Sequence, residues 1–363
     1  MKKNKNYVDL KDQPVPEGQH LLEVDDLKMY FHTEDGVVRA VDGVSYTLDR
    51  GETLGVVGES GSGKSVTAMT IMGLISMPPG KIEGGDVRYR GRSILEMTEE
   101  EMQHIRGNDI AMIFQDPMTS LNPVYKIGNQ VGEGLRLHRG YSKQEALKRA
   151  TELLDLVGIP EPEKRVNEYP HQFSGGMRQR VMIAMALACD PDILIADEPT
   201  TALDVTIQAQ IIELMQEMQE KNGNAIIMIT HDLGVVADMA DKIMVMYAGR
   251  PVEFGTAEEI FYESRHPYTW GLIRSIPEQA IEEKKPLTPI HGNPPSLMNL
   301  PEGCVFSPRC PYATDKCRKQ RPERVVTESG HYSACHYSGD PEFLKNAPET
   351  SRTRKDSKKG GEA

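Results

Sequence analysis

Apolar and polar positions follow two different patterns along this chain, and each pattern predicts a different kind of element. Residues 21–31 and 37–48 alternate with a period of two, as paired strands do, and Glu34-Asp35-Gly36 supplies the turn. Short apolar runs typical of buried strands occupy 52–57, 87–89, 109–117, 192–197, 225–230 and 242–246. Helical periodicity occupies 66–72, 98–106, 146–157, 205–221 and 233–239. Capping boxes at Thr98-x-x-Glu101 and Ser142-x-x-Glu145 open two of these helices. We therefore predict an α/β fold with a mainly parallel core sheet and an N-terminal antiparallel part.

The same patterns divide the chain into five parts. Residues 1–19 are polar and contain two prolines, so we expect a flexible tail. The main domain spans 20–274 and contains an inserted helical subdomain at about 118–180. Prolines recur over 275–301, which predicts a linker, and a cysteine-rich module follows at 302–339. Residues 340–363 have little to bury, so we predict a disordered tail.

Composition and charge narrow the possible partners. The 363 residues carry a net charge of −12, with 54 acidic against 42 basic residues, which disfavours a nucleic-acid partner. Apolar runs are too short to span a membrane, and residues 1–6 lead into polar sequence without the apolar stretch of a signal peptide. We expect a cytoplasmic protein whose membrane role, if it has one, goes through a partner.

A glycine-rich stretch follows the strand at 52–57. Residues 58–65 read Gly-Glu-Ser-Gly-Ser-Gly-Lys-Ser and fit the pattern G-x-x-x-x-G-K-[ST] at every fixed position. Glycines let the backbone N–H groups wrap around the phosphates at a helix terminus. Lys64 would reach the phosphate oxygens, and the Ser65 hydroxyl would hold Mg²⁺. The alternative is a glycine-rich turn that binds nothing, but the strand and helix on either side favour a nucleoside-triphosphate site.

Two carboxylates end the apolar strand at 192–197. Asp197 would supply the carboxylate that a phosphate loop lacks for Mg²⁺, and Glu198 would polarise the water that attacks the γ-phosphate. Acidic pairs after strands are often only turn formers. The phosphate loop upstream is what favours the catalytic interpretation.

Several other positions suit a nucleotide site, each with a structural alternative. Ser174-Gly175-Gly176 opens a helix and so offers an anion site, although Ser174 could be only a helix cap. His231 follows a strand and could contact the γ-phosphate, or it could be a polar strand end. Phe31, with Tyr30 as second choice, could stack on a base or only cover a sheet edge.

These motifs, in this order and spacing, resemble the ATPase subunits of ABC transporters over about residues 21–255. Gln115, Thr201-Ala202-Leu203-Asp204 and His231 complete the set. Phe173 and Met177 flank the Ser-Gly-Gly motif where leucine and glutamine are more usual. At these two positions the chain is similar to the dipeptide/oligopeptide-importer branch of the family. Residues 115–123 and His266-Pro267-Tyr268-Thr269 show the same similarity.

The resemblance implies a head-to-tail dimer with ATP held between one chain's phosphate loop and the partner's Ser174 loop. It implies that Asp204 links the two nucleotide sites and that Gln115 contacts the side of the nucleotide where Mg²⁺ and the attacking water lie. Glu198, His231 and Gln115 are then the catalytic candidates, and Ser65, Gln115 and Asp197 the magnesium candidates. The nucleotide-binding candidates are Phe31, Gly58, Glu59, Ser60, Gly61, Ser62, Gly63, Lys64, Ser65, Val66, Ser174, Gly175, Gly176 and Asp204.

The family resemblance also implies an assembly. Its members pair with a second, related ATPase beneath two membrane-spanning permeases, and an extracytoplasmic binding protein delivers the peptide. We therefore expect a peripheral protein on the cytoplasmic face of the membrane that hydrolyses ATP for peptide import. Two alternatives remain: a similar transporter for nickel or another small solute, and a soluble ABC protein acting on ribosomes or nucleic acid.

Four of the five cysteines, Cys304, Cys310, Cys317 and Cys335, crowd into the C-terminal module. Their spacing matches no standard zinc finger, and four thiolates can hold either zinc or an iron–sulfur cluster. Peptide-importer ATPases carry a similar motif, and residues 303–311 match it. The resemblance implies a [4Fe–4S] cluster with a structural role, with zinc or no metal as alternatives. Cys189, elsewhere on an apolar helix, is predicted to be a small core residue.

Overall fold

The computed structural model describes residues 10–11, 13–116, 120–199, 205–237, 239–276 and 289–348. Several predictions concern residues outside these ranges. They include Asp204 and the motif around it, residues 117–119 after Gln115, residues 1–9 and 12 of the N-terminal tail, residues 277–288 of the proline-rich linker, and residues 349–363 of the C-terminal tail.

The strands include both the alternating and the wholly apolar runs of the sequence. They are β1 (Leu22–Thr33), β2 (Gly36–Leu48), β3 (Thr53–Val57), β4 (Gly80–Tyr89), β5 (Arg92–Ser93), β6 (Ile110–Ile113), β7 (Ile193–Asp197), β8 (Ala225–Thr230), β9 (Lys242–Tyr247), β10 (Arg250–Thr256), β11 (Val325–Val326) and β12 (Tyr332–Ser333). Strand β4 is longer than the predicted run at 87–89, because its first half alternates exposed and half-buried residues and lacks a continuous apolar signal.

The helices lie between these strands. They are α1 (Lys64–Ile71), α2 (Glu99–Ile105), α3 (Ile127–His138), α4 (Lys143–Leu156), α5 (Pro162–Arg165), α6 (Gly175–Leu187), α7 (Val205–Asn222), α8 (Leu233–Ala237), α9 (Ala257–Tyr262), α10 (Pro267–Arg274), α11 (Asp315–Lys319) and α12 (Pro341–Leu344). The predicted capping boxes at Thr98 and Ser142 are both present, and each serine or threonine side chain accepts a hydrogen bond from the backbone three residues on. No helix in the described part of the chain is long and apolar enough to cross a membrane.

The predicted N-terminal antiparallel part is confirmed. Strand β1 pairs with β2 through the turn between Thr33 and Gly36, and β4 pairs with the other edge of β1. Among the described residues this sheet has the order β2-β1-β4-β5.

The predicted parallel core sheet is also confirmed. Strands β9, β3, β8, β7 and β6 are neighbours and parallel, and nearly all their residues are buried. Alternate residues of β8 enter two different cores. Ile226 and Met228 pack in the core shared with the inserted helices, whereas Ile227 and Ile229 pack in the core shared with the N-terminal sheet. The carboxyl ends of these parallel strands meet at one edge, where the candidate site lies.

The cysteine-rich module attaches to this same sheet. Strand β12 pairs antiparallel with β10, and β11 pairs with β12, so the module extends the sheet beyond β9. Val305 and Phe306 also lie in the main core. A buried polar contact reinforces the attachment, because His331 Nε2 lies 3.1 Å from the fully buried carboxylate of Glu253 on β10. The module therefore shares the core of the main domain.

Candidate active site

The phosphate loop connects β3 to α1, as predicted, and its glycines are required by its shape. Gly58, Gly61 and Gly63 all have positive φ angles of 154°, 75° and 101°. A Cβ at Gly58 would lie 2.2 Å from the carbonyl oxygen of Met246, and one at Gly63 would lie 2.3 Å from that of Ala40. Only glycine fits this close approach of three backbone segments.

Lys64 lies inside the loop with 5% of its surface exposed. Its Nζ donates hydrogen bonds to the carbonyl oxygens of Gly58 at 2.7 Å and Glu59 at 3.0 Å. Burial lowers the pKa of Lys64, and the carboxylates of Glu198, Asp197 and Glu59 oppose that shift. The neighbouring Ser62 hydroxyl is buried without a hydrogen-bond partner in the described structure, as expected of a loop that can receive an anion.

Two of the three residues predicted to hold Mg²⁺, Ser65 and Asp197, are in contact, whereas the third, Gln115, contacts Glu198. Ser65 Oγ donates a hydrogen bond to Asp197 Oδ1 over 3.0 Å. Asp197 is 2% exposed, and burial raises the pKa of its carboxyl while the hydrogen bond from Ser65 lowers it. A hydroxyl and a carboxylate are the oxygen ligands that Mg²⁺ prefers, so this pair fits the ion.

The three catalytic candidates come from the ends of three neighbouring strands and meet at one carboxylate. Gln115 Nε2 donates to Glu198 Oε2 over 2.9 Å, and His231 Nδ1 lies 3.3 Å from Glu198 Oε1. Glu198 has a φ of 47°, which is unusual for a residue other than glycine, and its N–H donates to the carbonyl oxygen of Ile229. Such local strain at a strand end is typical of functional positions.

The Ser174 loop opens α6 on the inserted helical region. Ser174 Oγ accepts a hydrogen bond from the N–H of Met177 over 3.3 Å, so the capping role that the sequence allowed is present. Capping does not explain the glycine that follows, however. A Cβ at Gly175 would meet nothing within 4 Å in the described structure, so packing within this chain does not require glycine there.

The two aromatic candidates differ in their surroundings. The Tyr30 hydroxyl donates to Asp42 Oδ1 over 2.9 Å, and the guanidinium of Arg39 lies 6.0 Å from its ring centre. Phe31 is half-buried beside the core under the N-terminal sheet. Base stacking by Phe31 stays a prediction.

The four C-terminal cysteines line one small cavity with Phe306, His336 and Phe343. Burial and, to a lesser extent, the neighbouring cysteines raise the pKa of the Cys310 and Cys335 thiols to about 11 and about 12. No group of three or more metal-ligating side chains in the described ranges is close enough to hold an ion. The cavity measures about 20 Å³. His336, which follows Cys335 in the chain, contacts the carbonyl oxygen of Gln320 through its Nε2.

Sequence reasoning missed several residues that contact the phosphate loop. The Tyr268 hydroxyl accepts a hydrogen bond from the N–H of Glu59, and the Arg309 guanidinium pairs with the Glu59 carboxylate. Tyr268 belongs to the motif that His266 opens, and His266 caps α10 through its ring nitrogen. Burial lowers the pKa of His266 to about 4. The motif was recognised as a family feature, but nothing local indicated that it reaches the nucleotide site.

Comparison with known proteins gives the same assignment as the geometry. Residues 41–201 match the family model "ABC transporter", and residues 252–317 match "Oligopeptide/dipeptide transporter, C-terminal region". The chain is 58% identical over 312 residues to the oligopeptide transport ATP-binding protein OppD of Bacillus subtilis, covering 86% of this chain and 87% of that one. It is 52% identical over 320 residues to the dipeptide transport ATP-binding protein DppD of Escherichia coli, covering 88% and 97%.

Solved structures agree on the fold. The dimeric ATP-binding cassette MJ0796, in a post-hydrolysis state with ADP and Pi, superposes with a TM-score of 0.60 at 29% identity, covering 65% of this chain and 98% of that one. CbiO1 of Clostridium perfringens, part of the ABC transporter complex cbiONQ, gives 0.56 at 29% identity, covering 67% and 91%. The chain belongs to the ATP-binding subunits of ABC transporters, in the branch that contains the oligopeptide and dipeptide transport ATP-binding proteins.

Proposed function

We propose that this chain hydrolyses ATP to drive the import of oligopeptides or dipeptides through membrane permease partners. The observation that carries the proposal is the convergence of Gln115 and His231 on Glu198, beside the Ser65–Asp197 pair. The names of its relatives, which are transport ATP-binding proteins for these peptides, supply the cargo class.

In this mechanism each group acts on a different part of the nucleotide. The loop N–H groups and Lys64 bind the phosphates, and Phe31 stacks on the base. Ser65 and Asp197 hold Mg²⁺, which offsets negative charge on the phosphates when it is bound. Glu198 accepts the proton of the attacking water, while Gln115 and His231 hold its carboxylate in place.

A second ATPase completes the site. A Cβ at position 175 would contact nothing in the described part of this chain. We therefore propose that glycine is needed there for the close approach of a nucleotide bound by the partner. ATP shared between the two chains then stabilises the closed dimer, and hydrolysis releases it. Asp204 is proposed to link the two sites across this interface.

The permeases are proposed to contact the inserted helical region near Gln115. Val124 and Tyr125, which follow that residue in the chain, are 71% and 56% exposed, which is unusual for large apolar side chains. A permease segment that covers these side chains would respond to changes in the position of Gln115. We propose that the protein works on the cytoplasmic face of the membrane and that an extracytoplasmic binding protein supplies the cargo.

The experiment that tests the assembly is recovery of the tagged full-length chain from gently solubilised native membranes. We expect two permeases and a second, related ATPase to co-purify. Recovery with ribosomes or nucleic acid, and with no membrane protein, would contradict the transport proposal. The cargo would then be established if peptide with its binding protein, but not nickel or sugar, stimulates ATP hydrolysis by the reconstituted complex.

We also propose that the four cysteines bind a metal centre, either a [4Fe–4S] cluster or zinc. They share one cavity and carry the sulfur ligands that both groups use. Anaerobically purified protein should contain iron with sulfide, or one zinc, and Cys335→Ser should lose it. Cys189→Ala is the control, since Cys189 packs in the main core. Protein with neither metal would exclude the centre.

A further inference from the structure

An ion pair joins the phosphate loop to the cysteine-rich module. Arg309 Nη1 lies 2.5 Å from Glu59 Oε2, and Arg309 Nη2 lies 3.0 Å from Glu59 Oε1. The contact is therefore bidentate, the geometry in which an arginine binds a carboxylate most strongly. The Arg309 side chain is only 4% exposed, whereas that of Glu59 is 31% exposed.

The Arg309 guanidinium is held on all sides. Its Nε donates to the carbonyl oxygen of His291, its Nη2 also donates to that of Ile290, and its Nη1 also donates to the Tyr247 hydroxyl. Together with the two bonds to Glu59, these contacts use all five N–H groups of the guanidinium. The group lies over the Tyr247 ring, 5.8 Å from its centre. Arg309 therefore has a fixed position from which it holds Glu59 of the phosphate loop.

Glu59 is connected to the nucleotide-binding groups through its own backbone. Its carbonyl oxygen accepts a hydrogen bond from Lys64, and its N–H donates to the buried Tyr268 hydroxyl. The Tyr268 ring packs against that of Tyr247, with 4.6 Å between their centres. A carboxylate in a phosphate-binding loop also repels phosphate unless a cation neutralises it.

We propose that Arg309 is a positioning residue for ATP binding: it neutralises Glu59 and fixes the part of the loop that carries Lys64. The proposal rests on the ATPase activity of the family and not on the cargo. Arg309 immediately precedes Cys310, so the same contact makes ATP affinity dependent on the integrity of the cysteine-rich module.

The first test is the affinity of the full-length chain for ATP, measured with a fluorescent analogue. Arg309→Gln leaves Glu59 unpaired, and we expect a roughly five- to tenfold rise in the dissociation constant. In the assembled transporter the KM for ATP should rise by a similar factor, while kcat changes less than about twofold, because Arg309 touches no reacting group. Arg309→Lys should recover only part of the affinity, since an ammonium cannot make the bidentate contact.

A double-mutant comparison separates this role from general folding. Arg309→Gln should weaken ATP binding much less in a Glu59→Gln background, because no unpaired carboxylate is left. The control is Arg318→Gln, which removes an exposed arginine of the same module that pairs with Asp315. Equal weakening by Arg309→Gln with and without the Glu59 carboxylate would overturn the proposal, as would an unchanged ATP affinity.

Glu59→Asp keeps the test valid if Arg309→Gln does not fold. It retains the charge but shortens the side chain, so it breaks the bidentate contact at a partly exposed position. We expect a severalfold loss of ATP affinity with unchanged thermal stability. Unchanged affinity would contradict the proposal.

Discussion

Glu198 lies where β7 ends, and side chains from two neighbouring strands reach its carboxylate. Gln115 follows β6 and His231 follows β8, so each strand of this part of the sheet contributes one polar group. The sequence placed all three at strand ends without indicating that they touch. Their contact depends on the order of the parallel strands, which brings β6, β7 and β8 together.

Replacing Glu198 with Gln removes the proposed base and keeps the shape of the side chain. We expect kcat for ATP hydrolysis to fall by roughly 10²–10⁴-fold, while the dissociation constant for ATP changes less than about twofold. Single-turnover hydrolysis and nucleotide binding measure the two effects. Glu152→Gln is the control, because Glu152 is half-exposed and pairs with Arg149 on the helical region. Near-normal hydrolysis by the Glu198 variant would refute the assigned role.

At the level of elements, the position of α8 depends on one glycine of β3. A Cβ at Gly55 would lie 2.1 Å from Val236 Cγ1 and 3.3 Å from the Ala240 Cβ. Helix α8 therefore packs directly on the strand that leads into the phosphate loop. The helix also follows His231, so its position affects the orientation of that side chain.

Gly55→Ala should force α8 away from β3. We expect it to lower the free energy of unfolding by about 1–3 kcal/mol, the usual cost of overpacking a core. Urea denaturation measures the change. Gly84→Ala is the matched control in another strand, where the added Cβ would meet only Lys28 Cδ at 3.6 Å. Equal stability of the two variants would show that the core at Gly55 relaxes without cost.

At the scale of the whole molecule, the proposed nucleotide sites need two chains. Gly175 lies at the first position of α6 with open space beside it, and the chain superposes on a dimeric ATP-binding cassette. A carboxylate at this position would be stabilised by the helix dipole of its own chain, but it would repel the phosphates held by a partner.

Gly175→Glu therefore tests the shared site. We expect unchanged thermal stability and unchanged ATP binding by the isolated chain, but at least a tenfold loss of ATP hydrolysis in the assembled complex. Gly339→Glu is the control, since a Cβ there also meets nothing within 4 Å. Full hydrolysis by the assembled Gly175 variant would argue against a partner nucleotide at this loop.

The sequence by itself determined the elements that local physics controls. The spacing of apolar residues distinguished the alternating strands β1 and β2 from the buried parallel strands. Capping residues indicated where α2 and α4 begin. The phosphate loop was identified from its own motif, whose glycines at 58, 61 and 63 take positive φ angles that other residues rarely adopt. These signals lie within a few residues of each other, so no knowledge of the fold was needed.

The tertiary structure alone decided which distant side chains meet. The Glu59–Arg309 pair joins residues 250 positions apart, and the Glu253–His331 pair joins residues 78 apart. For neither glutamate do the neighbouring residues in sequence indicate which side chain it will pair with. The cysteine-rich module reaches the nucleotide site because β12 pairs with β10 and Phe306 packs in the main core. Long-range pairing of polar side chains depends on strand order and packing, and these emerge only when the whole chain folds.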